Sequence, residues 1–151
     1  FSTWRNHYHA LLQGIPTEDL KTAIMEGRSM YFCSLKHKFI SSSIVGGILP
    51  IALGVALGIR RRGLQDRVWV FIGDMTAYTG IAREVRMYAQ CWRLPMTIIM
   101  EDNGLSTNTP TREVWGFEHG SNGDEQKFDV GAYEYERVWP HVGVGKFVTF
   151  G

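Results

Sequence analysis

Asp74 and Asn103, each placed just beyond an apolar run, are residues of this sequence whose types could hold a metal ion. A carboxylate and an amide carbonyl are hard oxygen ligands, suited to Mg²⁺ or Ca²⁺ rather than zinc. Mg²⁺ takes only one or two carboxylates and fills its shell with water and phosphate oxygens. A sparse protein ligand set therefore implies a phosphate-bearing ligand. Gly73, before Asp74, and Gly80, at the start of the next helical run, let backbone N–H groups approach a phosphate. The spacing leaves a plainer reading open, in which Asp74 caps a helix and Asn103 makes a turn.

The elements that must position these residues are legible around them. Val68 to Ile72 (VWVFI) is a continuous apolar run, as expected of a strand buried on both faces. From Gly80 a helical period returns, with Ile81, Val85, Tyr88 and Trp92 as its stripe, and Pro95 follows its end. Met96 to Met100 (MTIIM) reads as a second buried strand, closed by Glu101-Asp102-Asn103-Gly104. Strand, helix, strand implies a right-handed parallel βαβ unit. Ligands of open parallel sheets bind beyond the carboxyl ends of strands. The expected fold class is α/β with a parallel, doubly wound sheet, and its rim carries Asp74, Glu101, Asp102 and Asn103.

Elsewhere the signals are weaker. Residues 16 to 27 read as a helix capped by Thr17 and stopped by Gly27. Residues 28 to 43 read as irregular, with Ser41 to Ser43 as a loop. Pro50 opens a helix whose Ile51, Leu53, Val55, Leu57 and Ile59 leave no polar face, so it is expected to be buried all round. Gly54 and Gly58 share one of its faces, either for ordinary small-residue packing or for a subunit interface. Arg60 to Arg62 reads as a solvated helix end. Loops are expected at 106 to 111 and 119 to 126. Tyr133 to Val138 and Lys146 to Phe150 are expected to be short strands or extended segments.

The bulk composition narrows the function classes. The chain has 151 residues, which suggests one domain, and its net charge of +1 gives no bulk electrostatic pull toward nucleic acid. Its most apolar stretch, Ile44 to Ile59, is shorter than a membrane span of roughly 20 residues. Cys33 and Cys91 form no C-x-x-C pair, which argues against a zinc ribbon and suits a reducing cytoplasm. The start lacks a signal-peptide pattern and an initiator Met, the latter being what a fragment would show.

GDMTAYTGIAREVRMYAQCWRLPMTIIMEDNG resembles the fingerprint of thiamine diphosphate (ThDP) enzymes: Gly-Asp-Gly, a spacer of a little under thirty residues, then Asn or Asp-Asn. Upstream, SSSIVGGILPIALGVALGIRRRG and TWRNHYHALLQG are similar to segments of the alpha subunits of 2-oxo acid dehydrogenase E1 components, of the pyruvate and acetoin dehydrogenase type. The resemblance covers about residues 3 to 104, in the family's order. It implies a ThDP-binding fold, with residues 1–151 as a single diphosphate-binding domain, incomplete relative to the family.

Carried over residue by residue, it implies Asp74 and Asn103 as side-chain Mg²⁺ ligands, with Leu105 giving its backbone carbonyl. Gly73, Met75 and Thr76 would lie beside the diphosphate. Arg5 would reach a phosphate oxygen, with Trp4 where the family usually has tyrosine. Ser43 and Val45 would meet the aminopyrimidine ring through backbone groups. His7 would sit at the active-site mouth as the catalytic candidate; His9 is its neighbour, and the two have too few partners for zinc. The family's activating glutamate lies on a separate pyrimidine-binding domain, and Glu84 reads instead as an exposed helical residue.

The resemblance thus implies an oxidoreductase of E1 type, acting oxidatively on a 2-oxo acid with ThDP and Mg²⁺. A beta-type partner subunit or a homo-oligomer would complete it, with no nucleic acid and no membrane. Three departures keep alternatives open. Met75 replaces the second glycine of Gly-Asp-Gly. Asp102 and the following loop are similar to transketolases, which suggests a transketolase-like half-enzyme. Only 46 residues follow Leu105, fewer than the family carries, which suggests a non-catalytic interaction module of the ThDP fold.

Overall fold

The computed structural model describes residues 1–3, 7–28, 30–116 and 131–136. In chain order the elements are β1 (Ser2–Thr3), α1 (His7–Leu12), α2 (Thr17–Met25), β2 (Cys33–Ser34), β3 (Phe39–Ser42) and α3 (Ile48–Arg61). They continue with β4 (Val68–Gly73), α4 (Asp74–Ala77), α5 (Gly80–Cys91), β5 (Met96–Asp102), β6 (Leu105–Ser106), β7 (Thr109–Pro110), α6 (Thr111–Trp115) and β8 (Ala132–Glu134).

The expected βαβ unit is present. β4 and β5 pair in parallel from Val68↔Met96 to Gly73↔Glu101, with α5 as the crossover. β8 adds in parallel to the far side of β5, through Met100↔Ala132, Glu101↔Tyr133 and Asp102↔Glu134. On the other side, β1 pairs in parallel with β3, and β2 closes that group antiparallel. A backbone bond from Phe71 N–H to the carbonyl of Phe1 (3.0 Å) joins the two groups edge to edge. The pairs β1–β3, β4–β5 and β5–β8 are parallel, and the carboxyl ends of β1, β3 and β4 meet at one cavity.

The main core lies on one face of this sheet. Val68, Val70, Ile72 and Ile98 pack there against Ile48, Leu49, Ala52 and Ala56 of α3, and against Ala82 and Val85 of α5. The opposite face carries α1, where His9 lies 4.0 Å, centroid to centroid, from the ring of Phe71. Helices on both faces satisfy the doubly wound expectation.

Several local expectations are corrected. β4 is not buried on both faces: burial alternates, and Trp69 is 50% exposed. α1 covers only part of the second face, so that face keeps surface character. α3 is not buried all round either, since Ile51 is 50% and Val55 42% exposed. It lies on the sheet like any surface helix, with Ile48, Leu49, Ala52 and Ala56 inward. Gly54 and Gly58 meet no atom within 4 Å where a Cβ would stand, so among the described residues the shared face is not an internal packing groove. In α5 the buried line runs through Ala82 and Val85, while Tyr88 and Trp92 stack on each other at the surface.

Boundaries shift in the same way. α3 begins at Ile48, with Pro50 inside its first turn. Thr17 opens α2 without capping it; the cap position is Pro16, and Gly27 ends the helix at φ +77°. Ser41 and Ser42, expected in a loop, belong to β3, because they pair with Ser2 and Thr3 of β1. The stretch after Asn103 is a tight hairpin (Leu105↔Pro110, Ser106↔Thr109) leading into α6, rather than a loop. Arg60 is more than a solvated helix end, since its guanidinium donates to the carbonyls of Trp92 and Arg93 and ties α3 to the end of α5. The segments expected at 119 to 126 and at Lys146 to Phe150 lie outside the described residues. Among the described residues, no helix is long and apolar enough to cross a membrane.

Candidate functional site

β4 delivers Asp74 to the rim. The strand ends at Gly73 in extended conformation (φ −75°, ψ 161°), and Asp74 opens the short helix α4. Its side chain is turned inward, and the residue is 2% exposed. Oδ2 is buried and has no hydrogen-bond partner among the described residues. Burial raises the carboxyl above its ordinary range; the nearby Thr111 hydroxyl opposes the rise, and the charge of Asp102 adds to it. Thr111 Oγ1 is likewise buried, and neither atom completes a hydrogen bond of normal geometry.

Asp74 lines a cavity of about 130 Å³. Gly73, Met75, Thr76, Ser43, Val45 and Leu105 line it as well. Seven of the sequence-predicted residues are thus brought together from elements far apart in the chain. The turn carrying Ser43 and Val45 depends on Gly46, which adopts φ +75°; a Cβ there would stand 2.7 Å from Cγ2 of Ile81. That conformation and that contact both require glycine. Met75 does not suffer from replacing a glycine: it sits in α4, and it is not among the positive-φ residues.

Asn103 is placed differently. It follows β5 and lines a neighbouring cavity with Asp102, Gly104, Arg112, Glu134, Tyr135 and Glu136; Leu105 belongs to both cavities. Its Oδ1 accepts from Leu105 N–H at 3.0 Å, and its Nδ2 donates to the Tyr135 hydroxyl at 2.9 Å. Asp102 Oδ1 accepts from Gly104 N–H at 2.8 Å, in a turn that Gly104 makes at φ +70°. The structure therefore does not turn Asp74 and Asn103 into one cavity.

His7 opens α1 and lines neither cavity. His9 is held below the rim: its Nδ1 lies 2.8 Å from Ser2 Oγ and its Nε2 3.4 Å from Glu101 Oε1. Glu101 also accepts from the Tyr133 hydroxyl, so the third rim acid is committed to α1 and β8. Glu84 is exposed on α5. Trp4 and Arg5 lie outside the described residues. No group of three or more His, Cys, Asp or Glu poised for a metal occurs among the described residues.

Sequence reasoning missed four hydroxyl-bearing wall residues: Thr3, Ser42, Ser106 and Thr107. It also missed Thr111 behind Asp74. Ser42 adjoins the predicted Ser43 and was within reach. The others arrive through a hairpin and a strand pairing that carry no local signal.

The dehydrogenase E1 component family matches residues 1–120. The chain belongs to that family. The alpha-3 subunit of the chloroplastic pyruvate dehydrogenase E1 component of Oryza sativa subsp. japonica is 30% identical over 122 residues, covering 68% of this chain and 28% of that protein. The E1 component subunit alpha of Rickettsia typhi pyruvate dehydrogenase is 28% identical, over 72% of this chain and 36% of its own length. Its counterpart in Porphyra purpurea is 31% identical, over 68% and 35%. The chain thus spans about a third of the length of these curated relatives.

Proposed function

We propose that this chain is the diphosphate-binding part of an E1-type alpha subunit that binds ThDP with Mg²⁺ and acts on a 2-oxo acid. One observation carries the reading: a buried carboxylate oxygen of Asp74 without a hydrogen-bond partner among the described residues, beside a cavity walled by hydroxyls and backbone. Buried polar groups are nearly always paired, so an orphaned carboxylate at the carboxyl end of a parallel strand is what a cation site looks like without its ion. The donor set fits a magnesium diphosphate. Asp74 would ligate the cation, and the Leu105 carbonyl would be its second protein ligand. Thr76, Ser106 and Thr107 would offer hydroxyl or backbone donors to phosphate oxygens. For Asn103 to join as a ligand, its carbonyl must give a free lone pair to the cation while keeping Leu105 N–H, which two lone pairs allow.

When bound, ThDP supplies the carbanion stabilisation that lets the bond beside a substrate carbonyl break. The residues of this chain would bind and orient: Asp74 would hold the cation that offsets the diphosphate charge, Val45 and Ser43 would flank the organic end, and Met75 would lie beside the diphosphate. In this reading the glutamate that activates the aminopyrimidine comes from a beta-type partner subunit or a second copy, and His7 acts at the mouth of the assembled site. The chain would work in the cytoplasm, although the rice relative is named as chloroplastic.

Calorimetric titration of ThDP in the presence and absence of Mg²⁺, on wild type and Asp74→Ala, tests the proposal. Binding that needs Mg²⁺ and is lost in Asp74→Ala is expected. Absence of binding by the wild type, with its partner subunit present, would sink the proposal and favour a non-catalytic role.

A further inference from the structure

Ile81 has no place in the fingerprint, yet it stands against the turn that brings Ser43 and Val45 to the cavity. Gly47 N–H closes that turn by donating to the Ile44 carbonyl at 3.0 Å, and Ser42 Oγ accepts from Ile44 N–H at 3.2 Å. Gly46 holds its third position at φ +75°, as a type II turn requires. Ser43, Ile44 and Val45 are exposed, whereas Gly46 is buried. The turn is therefore seated through its glycine and not through its side chains. Its seat is on α5: from the place of a Cβ at Gly46, Cγ2 of Ile81 lies 2.7 Å away and Thr79 Oγ1 3.9 Å. That place is one bond from Cα, so the Ile81 methyl is in van der Waals contact with the glycine itself.

The seat is tied to another part of the cavity. Thr79 caps α5, and its hydroxyl donates to the Thr76 carbonyl at 2.7 Å. Thr76 and Met75 line the cavity from α4. Ile81 follows in the first turn of α5, where its branched Cβ restricts the side chain to few rotamers and holds the methyl still. We propose that Ile81 is a positioning residue for the organic end of the cofactor: its γ-methyl is the stop against which the 44–47 turn rests, and it fixes where Ser43 and Val45 stand relative to Thr76. The inference rests on the ThDP reading of the cavity. Its physical basis is preorganisation, since backbone groups already in place lose less freedom on binding. Shortening Ile81 to Ala opens a gap under Gly46 into which the turn can settle. Asp74, Thr76 and Leu105 stand on other elements and keep their places. The effect therefore falls on the organic end of the ligand and spares the diphosphate end.

The test compares wild type, Ile81→Ala and Ile81→Val in the full chain, together with any partner subunit that co-purifies with it. Affinities for ThDP and for inorganic pyrophosphate, each with Mg²⁺, are read by calorimetry. Ile81→Ala is expected to weaken ThDP by about 10-fold, the worth of one hydrogen bond, and to leave pyrophosphate unchanged. Ile81→Val keeps Cγ2 and is expected to bind both as wild type does. Should Ile81→Ala fail to fold, Ile81→Leu is read in its place, because it keeps the apolar volume but moves the methyl off Cβ. Loss of ThDP and pyrophosphate affinity in equal measure would show a general structural role and overturn the proposal, as would ThDP binding at wild-type strength. A wild type that does not bind ThDP, with its partner subunit present, would overturn the functional reading and this role with it.

Discussion

Asp74 and Asn103 stand at the ends of adjacent parallel strands, but their surroundings are opposite. Asp74 is buried and raised in pKa by that burial, and its Oδ2 has no hydrogen-bond partner among the described residues. Asn103 is half-buried, and both ends of its amide are used, by Leu105 N–H and by Tyr135. An under-satisfied buried group is costly and persists where something else compensates it. A satisfied amide needs no such explanation. The contrast teaches that the site's demand for a cation sits at Asp74, while Asn103 has an occupation of its own that it must keep or relax when metal binds.

Removing Asp74 should break the comparison most severely. Asp74→Ala is expected to lower Mg²⁺-dependent ThDP affinity by more than about 100-fold, beyond the range for supporting residues, as measured by calorimetry. Asn103→Ala should cost less, about 10-fold, because it loses a ligand that first has to be shared with Leu105. Equal losses from the two variants would show that the amide turns fully to the metal on binding and that the asymmetry belongs to the metal-free chain.

A third prediction separates stability from binding. The Asp74 carboxyl is raised on folding by burial, against the opposing Thr111 and with help from Asp102. A group raised in this way stabilises the fold below its unfolded pKa, and that contribution is lost as pH rises through the folded value. Asp74→Asn should therefore make the metal-free chain more stable at neutral pH, by roughly 1 kcal/mol, in urea unfolding. The gain should shrink toward acid, where the wild-type carboxyl is protonated. A loss of stability at neutral pH would mean that the carboxylate is satisfied after all. The smallest effect is expected at the other end: Tyr135→Phe removes one partly exposed hydrogen bond and should cost roughly 0.5 kcal/mol, with about a twofold change in metal affinity. A larger effect on affinity would make Tyr135 a true clamp on Asn103.

Legibility along the chain followed the range of the forces. Val68 to Asp102 was readable because apolar runs and a helical period are local, and the parallel pairing of its two strands follows from connection length. The same stretch misled on burial, because whether Trp69 or Val55 meets water depends on what covers them. Glu101 was readable as an acid on the rim but not as the partner of His9 and Tyr133, residues 92 and 32 positions away.

By itself the sequence determined the βαβ core and the rim that holds Asp74, because propensity, periodicity and turn chemistry act over a few residues, while Ser43 and Val45 were reached only through the family resemblance. Tertiary structure alone decided that Oδ2 of Asp74 is left without a hydrogen bond among the described residues while the Asn103 amide is satisfied, and that hydroxyls from β1, β3 and the hairpin wall the cavity. Desolvation and hydrogen-bond satisfaction depend on which distant segments exclude water from a group, and only the packed chain specifies that.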